Sequence, residues 1–65
     1  MKKIIAKLKQ LQEIFEEIIS NREETFDNKS ERWQESEKGE EWQEKTERLQ
    51  EMLDEIIDWQ DELSE

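Results

Sequence analysis

The chain contains no cysteine, no histidine and no proline, and it has a single glycine. Without cysteine it forms no disulfide and offers no thiolate, and without histidine it lacks the usual general base and the commonest metal ligand. Its apolar runs are only a few residues long, so the sequence predicts neither a membrane span nor a signal-peptide core. A cytoplasmic protein is therefore the default expectation.

Valine and tyrosine are also absent, and no stretch alternates apolar and polar residues as a strand would. Glu, Lys, Gln and Leu dominate instead, which predicts an all-α protein. With 65 residues, of which 31% are hydrophobic, residues 1–65 form a single domain with a small core. Ordering such a chain costs about 1.5 kcal/mol per residue. One subunit buries little apolar surface to offset that cost, so we expect self-association.

The first helix is predicted over about residues 2–35. Its apolar seam at a and d positions consists of Ile4, Leu8, Leu11, Phe15 and Ile18. Ile19, Phe26 and Trp33 continue a stripe at a spacing of seven, which favours an unbroken helix. The segment Ser20-Asn21-Arg22-Glu23 also fits a capping box, so a kink or a new helix start near Ser20 is the alternative.

A turn over about residues 34–39 and a second helix over about 40–63 complete the predicted hairpin. Ser36 is the expected N-cap, and Gly39 is the one residue with free access to positive φ. The hairpin is antiparallel, since lysines begin the first helix and acids end the second. Its pairing brings Leu11 near Gln60. The alternative is one continuous helix that dimerises as a coiled coil, against which Gly39 argues.

A single hairpin leaves apolar residues at its margins, and two hairpins in a four-helix bundle cover them. We therefore expect a homodimer, although a higher oligomer fits the pattern as well. The residues predicted for self-association are Ile5, Ile14, Ile19, Ile57 and Trp59. Trp33 and Trp42 lie at the predicted hairpin tip, where they are expected to act as core or interface anchors.

A stripe of carboxylates follows the second helix at alternating spacings of four and three, which places them on one face. This acidic ridge consists of Glu40, Glu44, Glu47, Glu51, Asp54, Asp58, Asp61 and Glu65. Neighbouring like charges cost about 0.2–0.5 kcal/mol per close pair. A charged helix face is usually only a solvated face, but selection for helix stability alone would mix the two signs. The ridge is therefore the candidate partner-binding surface.

Several classes of function are disfavoured by the same residues. The many carboxylates lack a pocket and a nucleophile–base set, so we expect no enzyme activity. They also lack the spacing of a calcium-binding loop, so we expect neither a metal site nor a cofactor. The net charge of −10 argues against direct nucleic-acid binding and against an anionic membrane surface, and it favours a basic protein partner.

The stretch over residues 26–40, with Thr46 and Leu49 after it, resembles a pattern in small acidic helical proteins of phages and related mobile elements. The resemblance covers about a third of the chain; it implies a phage-like origin and assigns no site residues. The sequence thus predicts a phage-type inhibitor, a nucleic-acid-mimicking decoy for a basic host or defence protein. The alternative is a self-assembling helical-bundle module, structural or adaptor, whose charge only keeps it soluble. A designed bundle is a third possibility, against which the irregular middle of the chain argues.

Overall fold

The computed structural model describes residues 1–64 of the chain, and these residues form three α-helices. Helix α1 spans Lys2–Asp27, the short helix α2 spans Glu31–Gln34, and α3 spans Glu37–Leu63. α1 and α3 pack along each other in opposite directions, with α2 between them in sequence. The Cα atoms fill a rod of 47 × 15 × 11 Å. The described chain is the all-α helical hairpin that the sequence predicts, and it is not one continuous helix.

The first helix is shorter than its sequence pattern predicts. α1 runs without a break through Ser20, so no new helix starts there, but it ends at Asp27 and not near residue 35. Phe26 and Trp33 still make the contact that their spacing of seven implies, with ring centroids 6.0 Å apart at 62°. They reach it across a break in the helix.

Side chains at the break bind backbone groups that an uninterrupted helix would pair internally. The amide of Gln34 donates to the carbonyl oxygens of Phe26, at 2.8 Å, and Lys29, at 3.1 Å. Ser30 Oγ accepts from the Trp33 N–H at 3.3 Å and begins α2 as its N-cap. These bonds satisfy the free carbonyl and N–H groups of two helix ends. The chain therefore turns earlier than apolar spacing indicates.

Ser36 is the N-cap of α3, as predicted, and its Oγ accepts from the N–H of Gly39 at 3.3 Å. Gly39 does not lie in a turn with positive φ, because α3 already begins at Glu37 and the Gly39 φ is not positive. Gly39 is buried instead. A Cβ there would overlap the carbonyl oxygens of Trp33 and Gln34. Glycine is required for this close approach of backbone to backbone.

The core lies between α1 and α3 along one seam of each helix. Three apolar side chains among the described residues are buried in it, namely Ile19 (6% exposed), Leu53 (6%) and Ile56 (3%). The other seam residues are partly buried: Ile5, Leu8, Gln12, Phe15, Arg22 and Phe26 on α1, and Trp42, Thr46, Leu49, Gln60 and Leu63 on α3. A single hairpin thus encloses very few apolar groups.

α1 is rotated by about one residue from the seam predicted for it. Gln12 lies in the interface, where its Oε1 accepts from Gln60 Nε2 at 2.8 Å, so Gln12 and not Leu11 is opposite Gln60. Arg22 occupies a second seam position and bonds to α3. The predicted seam residues Ile4, Leu11 and Ile18 are consequently exposed. Polar side chains with partners across the hairpin set this rotation, because leaving them unpaired in the interface would be costly.

Candidate functional site

The acidic ridge lies on the outer side of α3. All seven of its described members are exposed: Glu40, Glu44, Glu47, Glu51, Asp54, Asp58 and Asp61; Glu65 lies outside the described residues. Because α3 is one helix of 27 residues, a rise of 1.5 Å per residue spaces these charges by about 5 Å. The ridge is a continuous line of carboxylates on the face opposite the hairpin core.

The two halves of the ridge differ in their surroundings. Lys45 and Arg48 lie beside the first half, where they line a shallow surface depression together with Glu41, Glu44, Glu47 and Glu51. From residue 49 onward the sequence contains no base. The negative field is therefore least compensated over the second half, which includes Asp54, Asp58 and Asp61.

The tryptophans predicted at the tip form an aromatic cluster with Phe26. The Trp33 and Trp42 ring centroids are 6.1 Å apart at 69°, an edge-to-face arrangement that aromatic pairs favour. Both indoles are partly buried. Lys29 Nζ lies 5.3 Å from the centre of the Trp33 ring. The cluster packs α2 against α3 at the tip of the hairpin.

Arg22 is an interface residue that reasoning from the sequence missed. Its guanidinium carbon lies 4.0 Å from the centre of the Trp42 ring, and its Nε donates to Thr46 Oγ1 at 2.9 Å. Its seam spacing was the available signal, since it follows Ile19 by three residues and precedes Phe26 by four. Because charged side chains usually lie in solvent, this spacing alone does not identify Arg22 as an interface residue.

A cavity of about 400 Å³ opens beside Arg22 on the surface of the hairpin. It is lined by Arg22, Glu23, Phe26, Asp27, Trp42, Gln43, Thr46, Glu47 and Gln50. The guanidinium already lies over the Trp42 ring. The cavity therefore belongs to the packing of the tip.

The residues predicted for self-association separate into three groups. Ile19 is buried and Ile5 is partly buried in the hairpin seam, so the prediction that they lie at its margin was wrong; the rotation of α1 turns them inward. Ile14 and Trp59 are exposed, and so is Ile57. The two helix axes define a plane, and the hairpin has one broad face on each side of that plane. The position of each exposed residue relative to the seam decides which of these two faces it occupies.

An antiparallel helix pair has an approximate twofold axis normal to its broad face. A residue that directly precedes a seam position therefore lies on the same broad face in both helices. Six exposed apolar residues precede seam positions, and we call their surface the apolar face: Ile4, Leu11, Ile14, Ile18, Met52 and Trp59. Ile57 follows the buried Ile56 and lies on the opposite broad face, which we call the polar face.

Among residues 1–64, no helix is long and apolar enough to cross a bilayer. Within the same residues, no group of three or more acidic side chains is arranged to hold a metal ion. The surfaces that remain are the acidic ridge, the apolar face and the aromatic tip.

Comparison with known proteins gives no matching family model, no similar curated protein and no similar solved structure.

Proposed function

We propose that this chain is a non-enzymatic, acidic protein-interaction module whose ridge binds a basic partner protein. The observation that carries the proposal is the exposure of all seven described ridge carboxylates along one helix. Complementary charge speeds association and selects partners of the opposite sign. A basic nucleic-acid-binding protein presents a surface of that sign.

The ridge resembles a nucleic-acid strand in charge but is less dense. Its charges follow at about 5 Å, whereas phosphates along one DNA strand follow at about 3.4 Å. The stretch that resembles small phage proteins supports a biological setting for such mimicry. The proposed role is that of a phage-type inhibitor, a decoy that occupies the nucleic-acid site of a host or defence protein in the cytoplasm.

A ridge-neutralised variant tests this role. Glu47, Glu51, Asp54 and Asp58 are replaced together by Gln or Asn, and all four are exposed, so the hairpin is expected to stay folded. The matched control makes four exposed acids of α1 neutral: Glu13, Glu17, Glu23 and Glu24. Both variants lose the same charge, so only the location of the loss differs.

Proteins of a bacterial lysate are captured on each immobilised variant at low salt. A nucleic-acid-binding protein that the wild type and the control retain, that the ridge variant loses, and that duplex DNA displaces supports the decoy. If partners contact the ridge with desolvated charges, the loss amounts to several kcal/mol. A captured partner that binds the ridge variant as tightly as the wild type contradicts it.

The exposed apolar face favours a second candidate function, self-assembly into a homodimeric four-helix bundle that serves a structural or adaptor role. Among residues 1–64, six large apolar side chains remain exposed on one broad face, while only three apolar side chains are buried in the hairpin. Exposed apolar surface of this kind marks association sites. Sedimentation equilibrium at micromolar concentration tests it, and a folded monomer there contradicts self-assembly.

A further inference from the structure

We propose that a second copy of this chain covers the apolar face, and that the twofold axis of the pair runs parallel to the long axis of the hairpin. Both tips then lie at the same end of a four-helix bundle, and α1 of each copy packs on α3 of the other. This arrangement rests on the self-assembly proposed above and specifies its geometry.

The size of the face fits a second hairpin. The broad face that includes the apolar face measures 47 × 15 Å between Cα atoms, and a second hairpin that covered all of it would bury an area close to the roughly 800 Å² per partner of a standard protein interface. Its six apolar side chains are between 39% and 51% exposed. On α1 they extend from Ile4 to Ile18, about 21 Å along the axis. A flat, elongated face of this kind matches its own copy better than it matches a short peptide.

Charge at the rim favours the parallel axis. Lys7 precedes the seam residue Leu8, and Glu62 precedes Leu63, so both lie at the rim of the apolar face. Counting outward from the Gln12–Gln60 bond places Lys7 within one helical turn of Glu62 along the hairpin axis. When α1 packs on α3 of the second copy, Lys7 of each copy lies beside Glu62 of the other. By symmetry the bundle has two such pairs.

The other twofold arrangement places like charges together. If the twofold axis instead runs across the hairpin, perpendicular to its helices, α1 packs antiparallel on α1 of the second copy and α3 packs antiparallel on α3. Glu55 lies about midway between Met52 and Trp59 on the same side of α3. Centring these two apolar residues on the axis brings Glu55 beside Glu55 of the second copy. Like charges in close contact disfavour an interface.

The distance between the two tips distinguishes the arrangements. Because the chain has no cysteine, Arg32→Cys introduces one spin-label site on α2, where Arg32 is exposed. Double electron–electron resonance should give a tip-to-tip distance below about 30 Å, which is one or two helix spacings of 8–10 Å plus the label arms. The crossed arrangement separates the tips by about the 47 Å length of the rod. Glu17→Cys, near the middle of α1, gives a short distance in either case and is the control.

Each result has one meaning. A dimer by sedimentation with a short Arg32→Cys distance supports the parallel axis. A dimer with a short Glu17→Cys distance and a long Arg32→Cys distance overturns the parallel axis and leaves self-assembly standing. A folded monomer, with no dipolar coupling from either label, overturns both. Circular dichroism of the labelled chains confirms that the helices persist.

Discussion

Arg22 and Trp42 bind each other in both directions across the hairpin. Arg22 Nη2 donates to the Trp42 carbonyl oxygen at 3.1 Å, and the Trp42 indole N–H donates to the Arg22 carbonyl oxygen at 3.1 Å. The guanidinium also stacks on the indole ring. These contacts join α1 to α3 close to the tip, where large apolar residues are few. Near the tip, Arg22 and Trp42 thus hold α1 against α3, as the buried Ile19 and Leu53 do in the middle of the hairpin.

Arg22→Ala should therefore destabilise the hairpin by about 1–3 kcal/mol, because it removes a cation–π contact and leaves partly buried partners unpaired. Arg48→Ala is the control, since Arg48 is exposed and such substitutions stay within about 0.5 kcal/mol. Urea unfolding followed by circular dichroism, at one protein concentration, measures both. Equal stabilities of the two variants would show that the Arg22 contacts contribute nothing.

The direction of the α1 seam could not be predicted from apolar spacing alone. Apolar residues occur in adjacent pairs such as Ile4–Ile5, Ile14–Phe15 and Ile18–Ile19, so two neighbouring stripes fit a helix period equally well. Gln12 and Arg22 decide between them, because each has a bonding partner on α3. The hairpin and its approximate pairing depend on coarser features and were predicted correctly.

Gly39→Ala should destabilise the hairpin, although alanine normally stabilises a helix by about 1 kcal/mol relative to glycine. The added methyl group overlaps the Trp33 and Gln34 carbonyl oxygens, and backbone cannot move aside as a flexible side chain can. We expect a net loss of about 1–3 kcal/mol, typical of overpacking. Lys38→Ala, at the exposed neighbouring position, is the control. A rise in the melting temperature of Gly39→Ala would refute the close-packing role.

The N-cap of α3 could be predicted from the sequence, but the end of α1 at Asp27 could not. Ser36 was predictable as an N-cap because a serine oxygen just before a helical run can accept from a free N–H of the first turn. The end of α1 at Asp27 depends on Gln34, whose amide reaches back to the Phe26 carbonyl oxygen. Such a bond joins residues eight apart and leaves no periodic trace in the sequence. The apolar spacing of the sequence therefore does not predict the early end of α1.

Ile14→Glu should abolish dimerisation, whereas Ile57→Glu should leave it almost unchanged. Ile14 lies on the apolar face and Ile57 on the polar face, although the sequence placed both in one interface. Burying an unpaired carboxylate costs several kcal/mol, so the dissociation constant should rise by at least about 100-fold for Ile14→Glu. Sedimentation equilibrium gives both constants. Equal weakening by the two changes would place the interface elsewhere.

Lys7→Glu and Glu62→Lys chains should prefer each other to themselves. In each mutant homodimer, the two pairs between residue 7 of one copy and residue 62 of the other carry like charges. In the heterodimer both pairs carry opposite charges, and each such pair contributes about 0.2–1 kcal/mol. Native mass spectrometry of an equal mixture should show heterodimers above the statistical half. The control mixture of Lys9→Glu and Asp61→Lys makes the same charge changes on the polar face. Equal heterodimer fractions in the two mixtures would contradict the parallel axis.

Salt should stabilise the folded chain through the acidic ridge. The Debye length falls from about 30 Å at 0.01 M to about 3 Å at 1 M, which is shorter than the spacing of about 5 Å between ridge charges. Neutralising Glu47, Glu51, Asp54 and Asp58 relieves the five close like-charge pairs that these residues make along the ridge and should add about 1–2 kcal/mol at low salt.

The same variant should gain less from 1 M salt than the wild type, because its repulsion is already relieved. The α1 control, neutral at Glu13, Glu17, Glu23 and Glu24, should keep most of the wild-type salt response, since lysines lie near some of these acids. Thermal melts of the three chains at both salt concentrations measure the difference. A salt response that is equal in all three would mean that net charge, and not the alignment of the ridge, strains this helix.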